Sequence, residues 1–262
     1  MSVRQRPPQR EAVGQHFLRS SRLAADIVGQ AHVARGDLIV EVGGGTGALT
    51  QPLVRTGATV IAIERDPVLA ARLRRRFERD TSLTVVGDDA AAYCWPREPF
   101  AVVANLPFAA SGTILAGLLR DPLVPMRQAD VIVQWEFAAK HAAVWPATLR
   151  SSHWRAWYDV SIVRRLHRTA FSPPPSVDAA VLRLTRRSRP LVPPELGAAY
   201  WEFLASAFAA RSSIRRALRS SLSPLQLKRL APALGFALDA LPRDLDAEQW
   251  GRLFAAARGE RG

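Results

Sequence analysis

The alternation of short apolar runs with helical segments is the feature that most constrains how this chain can fold. The runs at Leu38–Val42 and Thr59–Ile63 have the length and β-branched content of buried strands, and helical spacing follows them at 48–55 and 66–77. A helix between two strands carries the chain back to the same end of a sheet. The alternation therefore predicts parallel strands.

Five further segments have the composition of strands. They lie at 83–86, 100–104, 131–134, 160–164 and 179–184, and bring the sheet to about seven strands. Two more helices are predicted, at 21–33 and 113–119. The predicted fold class is α/β: a doubly wound, mostly parallel, seven-stranded Rossmann-like sheet.

The end of the chain has a different pattern. Arginine and proline are concentrated at 186–194, which is typical of a linker or a surface crossing. Helical spacing then continues at 196–209, 213–219, 224–233 and 247–257. We predict a first domain over residues 1–187 and a small all-helical domain over 188–262. The basic, proline-containing residues 1–12 are predicted to be a disordered arm.

The chain is strongly basic, with 36 lysines and arginines against 23 aspartates and glutamates, a formal net charge of +13. This excess predicts a polyanionic partner, and nucleic acid is favoured. A membrane is disfavoured because no apolar run approaches the roughly 20 residues of a spanning helix. The single cysteine, Cys94, and the scattered histidines predict no metal site and fit a reducing compartment. We expect a cytoplasmic monomer.

A glycine-rich loop, Glu41-Val42-Gly43-Gly44-Gly45-Thr46-Gly47, follows the first predicted strand and opens a helix. Glycines allow a tight turn and a close approach of the backbone to a ligand. The spacing of Gly43, Gly45 and Gly47 differs from the G-x-G-x-x-G pattern of dinucleotide enzymes, and an acid precedes it. The loop therefore favours an uncharged adenosyl group, such as that of S-adenosylmethionine, over a pyrophosphate.

Two acidic positions extend this site. Glu64 ends the next predicted strand, roughly 20 residues after the glycines, where a carboxylate can accept hydrogen bonds from both ribose hydroxyls. Asp89 follows the third strand and would lie on the same edge of the sheet, where it could accept from the adenine amino group. Asp88 is an equally good candidate on spacing alone.

The tetrapeptide Asn105-Leu106-Pro107-Phe108 directly follows another predicted strand. An aromatic amine is a poor nucleophile because its lone pair is delocalised, so a catalyst must accept hydrogen bonds from its NH2 group. The Asn105 side-chain oxygen and the Leu106 carbonyl are suitable acceptors, Pro107 stiffens the turn, and Phe108 can stack on a base. The tetrapeptide thus predicts methyl transfer to a base amine without a titratable base.

Together these motifs resemble the rRNA adenine N6-methyltransferases, which comprise the Erm resistance enzymes and the KsgA-type small-subunit dimethyltransferases. Gln15-His16-Phe17-Leu18 is similar to the family's N-terminal cofactor motif, usually Gln-Asn-Phe, and 171–178 to its late proline-rich motif. The resemblance places Asp89 rather than Asp88 at the adenine position. It implies S-adenosylmethionine as cofactor, with contacts from Gln15, His16, Leu18, Glu41, Gly43, Gly45, Gly47, Glu64, Arg65, Asp89, Ala90 and Asn105.

The resemblance also implies a target. The segment 154–158 and the arginine-rich surface look more like the Erm enzymes, whose target is an adenine in the peptidyl-transferase loop of 23S rRNA, where methylation blocks macrolide, lincosamide and streptogramin B drugs. A 16S target remains an alternative, as does a non-enzymatic nucleic-acid-binding relative, against which the intact tetrapeptide argues. The candidate phosphate contacts are Arg164, Arg165, Arg168, Arg211, Arg215 and Arg216.

Overall fold

The computed structural model describes residues 15–145 and 147–259, so the predicted arm at 1–12 lies outside the described residues. The seven predicted strands all form. They lie, with two additional short strands, at Phe17–Leu18 (β1), Leu38–Val42 (β2), Thr59–Ile63 (β3), Leu83–Val86 (β4), Phe100–Asn105 (β5), Met126–Gln134 (β6), Tyr158–Leu166 (β7), Phe171–Ser172 (β8) and Ala179–Arg186 (β9).

The main sheet has seven strands in the order β4-β3-β2-β5-β6-β9-β7. Its first five strands run parallel, and β9 runs antiparallel to both of its neighbours. The predicted doubly wound, mostly parallel sheet is therefore confirmed. The strand order reverses between β2 and β5, and in such sheets ligands bind in the crevice outside the carboxyl ends of the strands at this point.

Ten α-helices flank the sheet or follow it in the described residues. They lie at Ser21–Gln30 (α1), Thr50–Arg55 (α2), Pro67–Arg76 (α3), Ser111–Leu118 (α4), Trp135–Ala142 (α5), Leu149–Trp154 (α6), Gly197–Ala209 (α7), Ile214–Ala217 (α8), Pro224–Leu234 (α9) and Ala247–Ala257 (α10). The start of α3 follows from its sequence, because Asp66 Oδ1 accepts from the amides of Val68 and Leu69 at 2.8 and 3.1 Å, and Pro67 occupies the first turn.

Alternate residues of the strands pack on opposite faces of the sheet. Val40 and Val102 belong to one buried cluster, and Ile39 and Val103 to another, which also contains residues of α1 and α2. The first cluster continues without a break into the C-terminal helices, where it includes Trp250.

The arginine- and proline-rich crossing is hydrogen-bonded to the residues that directly precede β7. The Trp157 indole donates to the Val192 carbonyl at 2.8 Å, and the amides of Arg187 and Leu191 donate to the carbonyls of Trp157 and Ala156, each at 2.8 Å. This part of the chain therefore has one fixed path. No helix of the described chain has the length and apolar character needed to cross a membrane.

Candidate active site

A cavity of about 360 Å³ opens at the carboxyl ends of β2, β3 and β5, where the strand order reverses. This volume lies within the usual range for small-molecule sites. Most of the site residues predicted from the sequence line it: Gln15, His16, Gly43, Gly45, Glu64, Arg65, Asp89, Ala90, Asn105, Leu106, Pro107 and Phe108.

Three predicted cofactor residues, Leu18, Glu41 and Gly47, do not line this cavity, and their contact with the cofactor stays a prediction. The Leu18 side chain is buried in the apolar cluster beside α1. Glu41 is 1% exposed, and its Oε2 accepts from the Thr50 hydroxyl at 2.6 Å. At Gly47 a Cβ atom would face Leu73 and Phe77 of the α3 region. Within the protein, these three residues therefore contact the buried side of the glycine turn, away from the main cavity.

The glycine turn needs glycine for two different reasons. Gly43 has a φ of +77°, and its amide donates to the Ile63 carbonyl at 2.8 Å, which joins the turn to the end of β3. Gly45 has a φ of +52°, and a Cβ atom there would lie 2.9 Å from the Phe17 ring. Both positions therefore exclude larger residues, the first by conformation and the second also by contact.

Glu64 is 4% exposed and is held by two backbone amides. Gly45 N donates to its Oε2 at 2.8 Å, and Asp66 N donates to its Oε1 at 2.9 Å. Each carboxylate oxygen can accept a second hydrogen bond. Glu64 is therefore fixed in a position from which it can still accept from two adjacent hydroxyls, as a ribose presents.

Both aspartates after β4 line the cavity, so the structure does not separate Asp88 from Asp89 by position. They differ in their contacts. Asp89 accepts from the Ala91 amide at 3.0 Å and lies 3.6 Å from an Arg65 guanidinium nitrogen, whereas Asp88 is exposed and accepts from the Asp89 amide at 2.7 Å. The better anchored Asp89 is the stronger candidate for binding a base edge.

The sequence-based assignment also missed lining residues, chiefly apolar ones. Val42 and Ile63 end strands at the cavity edge, and Ile114 lies in the first turn of α4. Their position at the carboxyl ends of parallel strands was a usable signal. The full set of unassigned lining residues is Phe17, Val42, Ile63, Asp66, Ala109, Ala110 and Ile114.

Asn105 ends β5 at the centre of this cavity. Its Nδ2 donates to the His16 carbonyl at 2.7 Å, and its Oδ1 is buried without a hydrogen-bond partner among the described residues. A buried acceptor without a partner is costly unless a ligand or water satisfies it. The side-chain oxygen of Asn105 is therefore available to a donor such as an amino group. Phe108 lies beside it, with ring centroids 5.3 Å from His16 and 6.1 Å from Phe171.

Burial changes the ionisation of Glu41 behind the glycine turn. Desolvation raises the pKa of its carboxyl to about 8, against the lowering effect of the Thr50 hydrogen bonds, and the nearby Glu64 carboxylate adds to the rise. Glu41 is therefore mainly protonated at neutral pH. An uncharged Glu41 thus lies near the Glu64 carboxylate, which keeps two like charges from being buried together.

The residues present fit S-adenosylmethionine. Its ribose hydroxyls require paired acceptors such as Glu64, its adenine amine an acceptor such as Asp89, and its rings apolar walls such as Val42 and Ile63. The chemistry it supplies when bound is an activated methyl group on a sulfonium. The described residues contain no group of three or more histidine, cysteine, aspartate or glutamate side chains arranged to hold a metal ion.

Comparison with solved structures agrees with this arrangement. The 23S rRNA methyltransferase ErmE superimposes with a TM-score of 0.80 at 27% sequence identity, over 92% of this chain and 99% of its own. The sheet order, the glycine turn and the acid that follows one strand later thus define a Rossmann-like methyltransferase.

The sequence comparisons identify the family. The chain belongs to the ribosomal RNA adenine dimethylase family, whose model matches residues 8–257. It is 31% identical to the mycinamicin-resistance protein MyrB of Micromonospora griseorubida, over 95% of this chain and 79% of that protein. It is 33% identical to the ribosomal RNA small subunit methyltransferase A of Thermosynechococcus vestitus, over 92% and 94%. The chain is thus an S-adenosylmethionine-dependent rRNA adenine methyltransferase, as the motifs predicted.

Proposed function

We propose that this enzyme transfers methyl groups from S-adenosylmethionine to N6 of an adenine in 23S rRNA and so confers resistance to macrolide, lincosamide and streptogramin B drugs. The observation that carries the chemistry concerns Asn105, which lines the cavity beside the glycine turn and whose buried Oδ1 has no described hydrogen-bond partner. The 23S target is supported by the similarity to ErmE and to the mycinamicin-resistance protein.

In the proposed mechanism, the protein positions the amine rather than deprotonating it first. Asn105 Oδ1 and the Leu106 carbonyl accept hydrogen bonds from the N6 protons, and Phe108 stacks on the adenine ring. These contacts would orient the nitrogen lone pair toward the methyl group that the cofactor supplies. As the N6–methyl bond formed and the sulfonium–methyl bond broke, N6 would lose one proton to solvent water. The adenine must be unpaired or flipped out of its helix to reach this position.

The cofactor roles of individual residues belong to the same proposal. Glu64 would accept from the ribose hydroxyls and Asp89 from the adenine amine, with Gly43 and Gly45 allowing close approach of the backbone. The C-terminal helices from residue 188 onward would form an RNA-associated domain. We also infer a cytoplasmic enzyme, because its proposed substrate is ribosomal RNA, and we propose that it is a monomer.

The arginines proposed to contact RNA differ in whether they already have a carboxylate partner in the protein. Arg164 lies 3.8 Å from Asp26, and Arg165 donates to Asp178 at 2.9 Å. Four other candidates are exposed, and their guanidinium groups have no partner among the residues described: Arg168, Arg211, Arg215 and Arg216. We propose that these four arginines contribute more to phosphate binding than the two arginines that are paired with aspartates.

The decisive experiment measures labelled methyl transfer from S-adenosylmethionine to drug-free 50S and 30S particles and to the RNA extracted from each. We expect transfer to 23S rRNA and none to 16S rRNA. The reverse result would establish a small-subunit dimethylase, which the similarity to the Thermosynechococcus enzyme favours as the second candidate. Transfer to neither RNA would refute the proposed function.

The Asn105→Ala variant tests the proposed chemistry. We expect methyl transfer to fall by at least about a hundredfold, since a preorganised hydrogen-bonding group is removed. RNA affinity should remain within about threefold, because the basic side chains are elsewhere. Asn105→Asp is a matched control that keeps the shape of the side chain. Full activity in a variant without Asn105 would contradict the assigned role.

A further inference from the structure

Residues 15–18, called the strap here, cross the cavity between the glycine turn and the tetrapeptide. Gln15, His16 and Phe17 all line the cavity. The strap is held at its far end by pairing of β1 with β8, in which Phe17 lies opposite Ser172 and Leu18 opposite Phe171. It therefore touches both halves of the site, the half that faces the cofactor and the half that faces the target base.

On the cofactor side, the strap is seated on the glycine turn. The Phe17 ring comes so close to Gly45 that a Cβ atom there would be 2.9 Å from its Cε1 and 3.2 Å from its Cδ1. Gly45 also donates its amide to Glu64, the candidate ribose acceptor. The position of Phe17 and the geometry of the turn are thus coupled by direct contact.

On the base side, the strap fixes the orientation of the Asn105 amide. Nδ2 is a donor only, and the His16 carbonyl that it contacts at 2.7 Å is an acceptor only. This contact determines which end of the amide points away from the strap. The Oδ1 atom is left as the acceptor without a described partner. If the His16 carbonyl moved, the amide could rotate and present NH2 to an amine that needs an acceptor.

The His16 side chain holds that carbonyl in place. Its Nδ1 lies 2.8 Å from the Pro173 carbonyl, which can only accept, so Nδ1 carries the proton. The imidazole also lies against Phe108, with ring centroids 5.3 Å apart. One side chain therefore contacts the late proline-containing segment and the tetrapeptide, while its own backbone carbonyl binds Asn105.

We propose that His16 is a positioning residue: through its carbonyl, it sets the Asn105 amide in the orientation that accepts a hydrogen bond from the target amine. This inference rests on the proposed function. It assigns His16 a role in the rate of methyl transfer rather than in affinity for the cofactor, although the side chain borders the cofactor cavity.

An NMR experiment can observe this side-chain amide alone, because Asn105 is the only asparagine in the sequence. Protein labelled with asparagine carrying ¹⁵N in its side-chain amide gives a single NH2 pair in a heteronuclear NMR spectrum. In the parent we expect two well separated signals with slow hydrogen exchange, because one proton is donated to the His16 carbonyl. In His16→Ala the pair should move toward the values of a free amide and exchange faster.

The kinetic test uses three substitutions at residue 16. His16→Ala removes both side-chain contacts, and His16→Phe keeps a ring beside Phe108 but cannot donate to Pro173. We expect kcat to fall roughly tenfold to a hundredfold in both, since small misplacements of reacting groups have effects of this size. The KM for S-adenosylmethionine should stay within about threefold. His16→Asn can still donate to Pro173 and should keep at least about half of the parent kcat.

His32→Asn is the matched control. It replaces another exposed histidine before the sheet, at a φ of 54° that asparagine tolerates, and should leave kcat unchanged. The proposal is overturned if His16→Ala keeps the parent kcat, if it raises only the KM for the cofactor, or if the Asn105 amide signals do not change. A parent that methylates no rRNA refutes the proposed function instead, while the amide signals still decide whether His16 orients Asn105.

Discussion

Glu41 belongs to the glycine-rich motif, but its side chain does not line the main cavity that the motif borders. It precedes the glycines, and this position in the motif predicts contact with the cofactor. In the structure its side chain turns into the protein and bonds to Thr50 at the start of α2. Its carboxyl therefore joins the turn to the helix that follows, and its raised pKa records the cost of burying it there.

This burial predicts a pH dependence of stability. The folded state holds a proton on Glu41 up to about pH 8, whereas the unfolded chain releases it near the ordinary value of 4.5. The folded state thus binds more protons within this window, so the free energy of unfolding should fall as pH rises from about 5 to 8, by at most about 1.4 kcal/mol per pH unit from this group.

Glu41→Gln separates this effect from other titrations. The amide keeps an oxygen that can accept from Thr50 but cannot ionise, so its contribution to the slope should disappear. Urea unfolding at pH 5.5 and pH 8 measures the difference, and the variant should gain stability relative to the parent at the higher pH. Parallel pH profiles for the two proteins would show that Glu41 is already charged in the folded state.

The positions of the site residues could be predicted from the sequence, but their side-chain contacts could not. Gly43, Glu64 and Asn105 could be located from the sequence because each lies at the carboxyl end of a strand, and parallel strands end at one edge of a sheet. The partners of Asn105 and Glu41 could not, since these contacts depend on which side of the turn each side chain takes. The contact between His16 and Asn105 joins positions far apart in the chain, and no local pattern encodes it.

At the scale of elements, the strands were easier to predict than the connections between them. Buried strands are rich in apolar residues, and the sequence predicted all seven strands of the main sheet. α5 and α6 were missed: α6 contains two buried serines, Ser151 and Ser152, and begins at a Thr148 capping box, a composition that reads as a loop. β1 and β8 have two residues each, and they form only because the fold brings their backbones together.

The C-terminal helices share their core with the sheet. Trp250 of α10 is fully buried and packs near the rings of Phe203 and Phe208, within the same cluster that contains Val102 of β5. A domain boundary near residue 187 remains a prediction from composition. A shared core nevertheless favours unfolding of the sheet and the helices in a single step.

We therefore expect Trp250→Ala to destabilise the whole chain by about 3 to 5 kcal/mol, the usual cost of removing a buried aromatic ring. Far-UV circular dichroism and tryptophan fluorescence should report coincident unfolding transitions in urea. Trp250→Phe is the control: it keeps an aromatic ring, removes an indole N–H that has no described partner, and should cost less. Separate transitions for the two probes would show that the helices unfold independently of the sheet.

At the scale of the whole molecule, the net charge of +13 sets how the enzyme meets RNA. When guanidinium groups that lack carboxylate partners bind phosphates, the counterions condensed on the RNA are released. Affinity for RNA therefore falls as the salt concentration rises. Arg211, Arg215 and Arg216 are such groups: Arg215 and Arg216 lie in the short helix α8, and Arg211 lies three residues before it.

Replacing Arg211, Arg215 and Arg216 together with alanine should lower the slope of log K against log salt by roughly two to three, if each contacts one phosphate. Fluorescence anisotropy with a 23S rRNA fragment between low and moderate salt measures it. Replacing Arg72, Arg75 and Arg79, three exposed arginines of the α3 region, removes the same charge and is the control. Equal loss of slope in the two variants would mean that overall charge, and not the α8 region, binds the RNA.

The contact between His16 and Pro173 joins residues 157 positions apart in the chain. During synthesis, the glycine turn, Glu64 and Asn105 all leave the ribosome well before Phe171 and Ser172, with which the strap pairs. A nascent chain therefore contains the glycine turn, Glu64 and Asn105 before the strap has the strand with which it pairs. We therefore expect the strap to complete the pocket only after most of the chain has been translated.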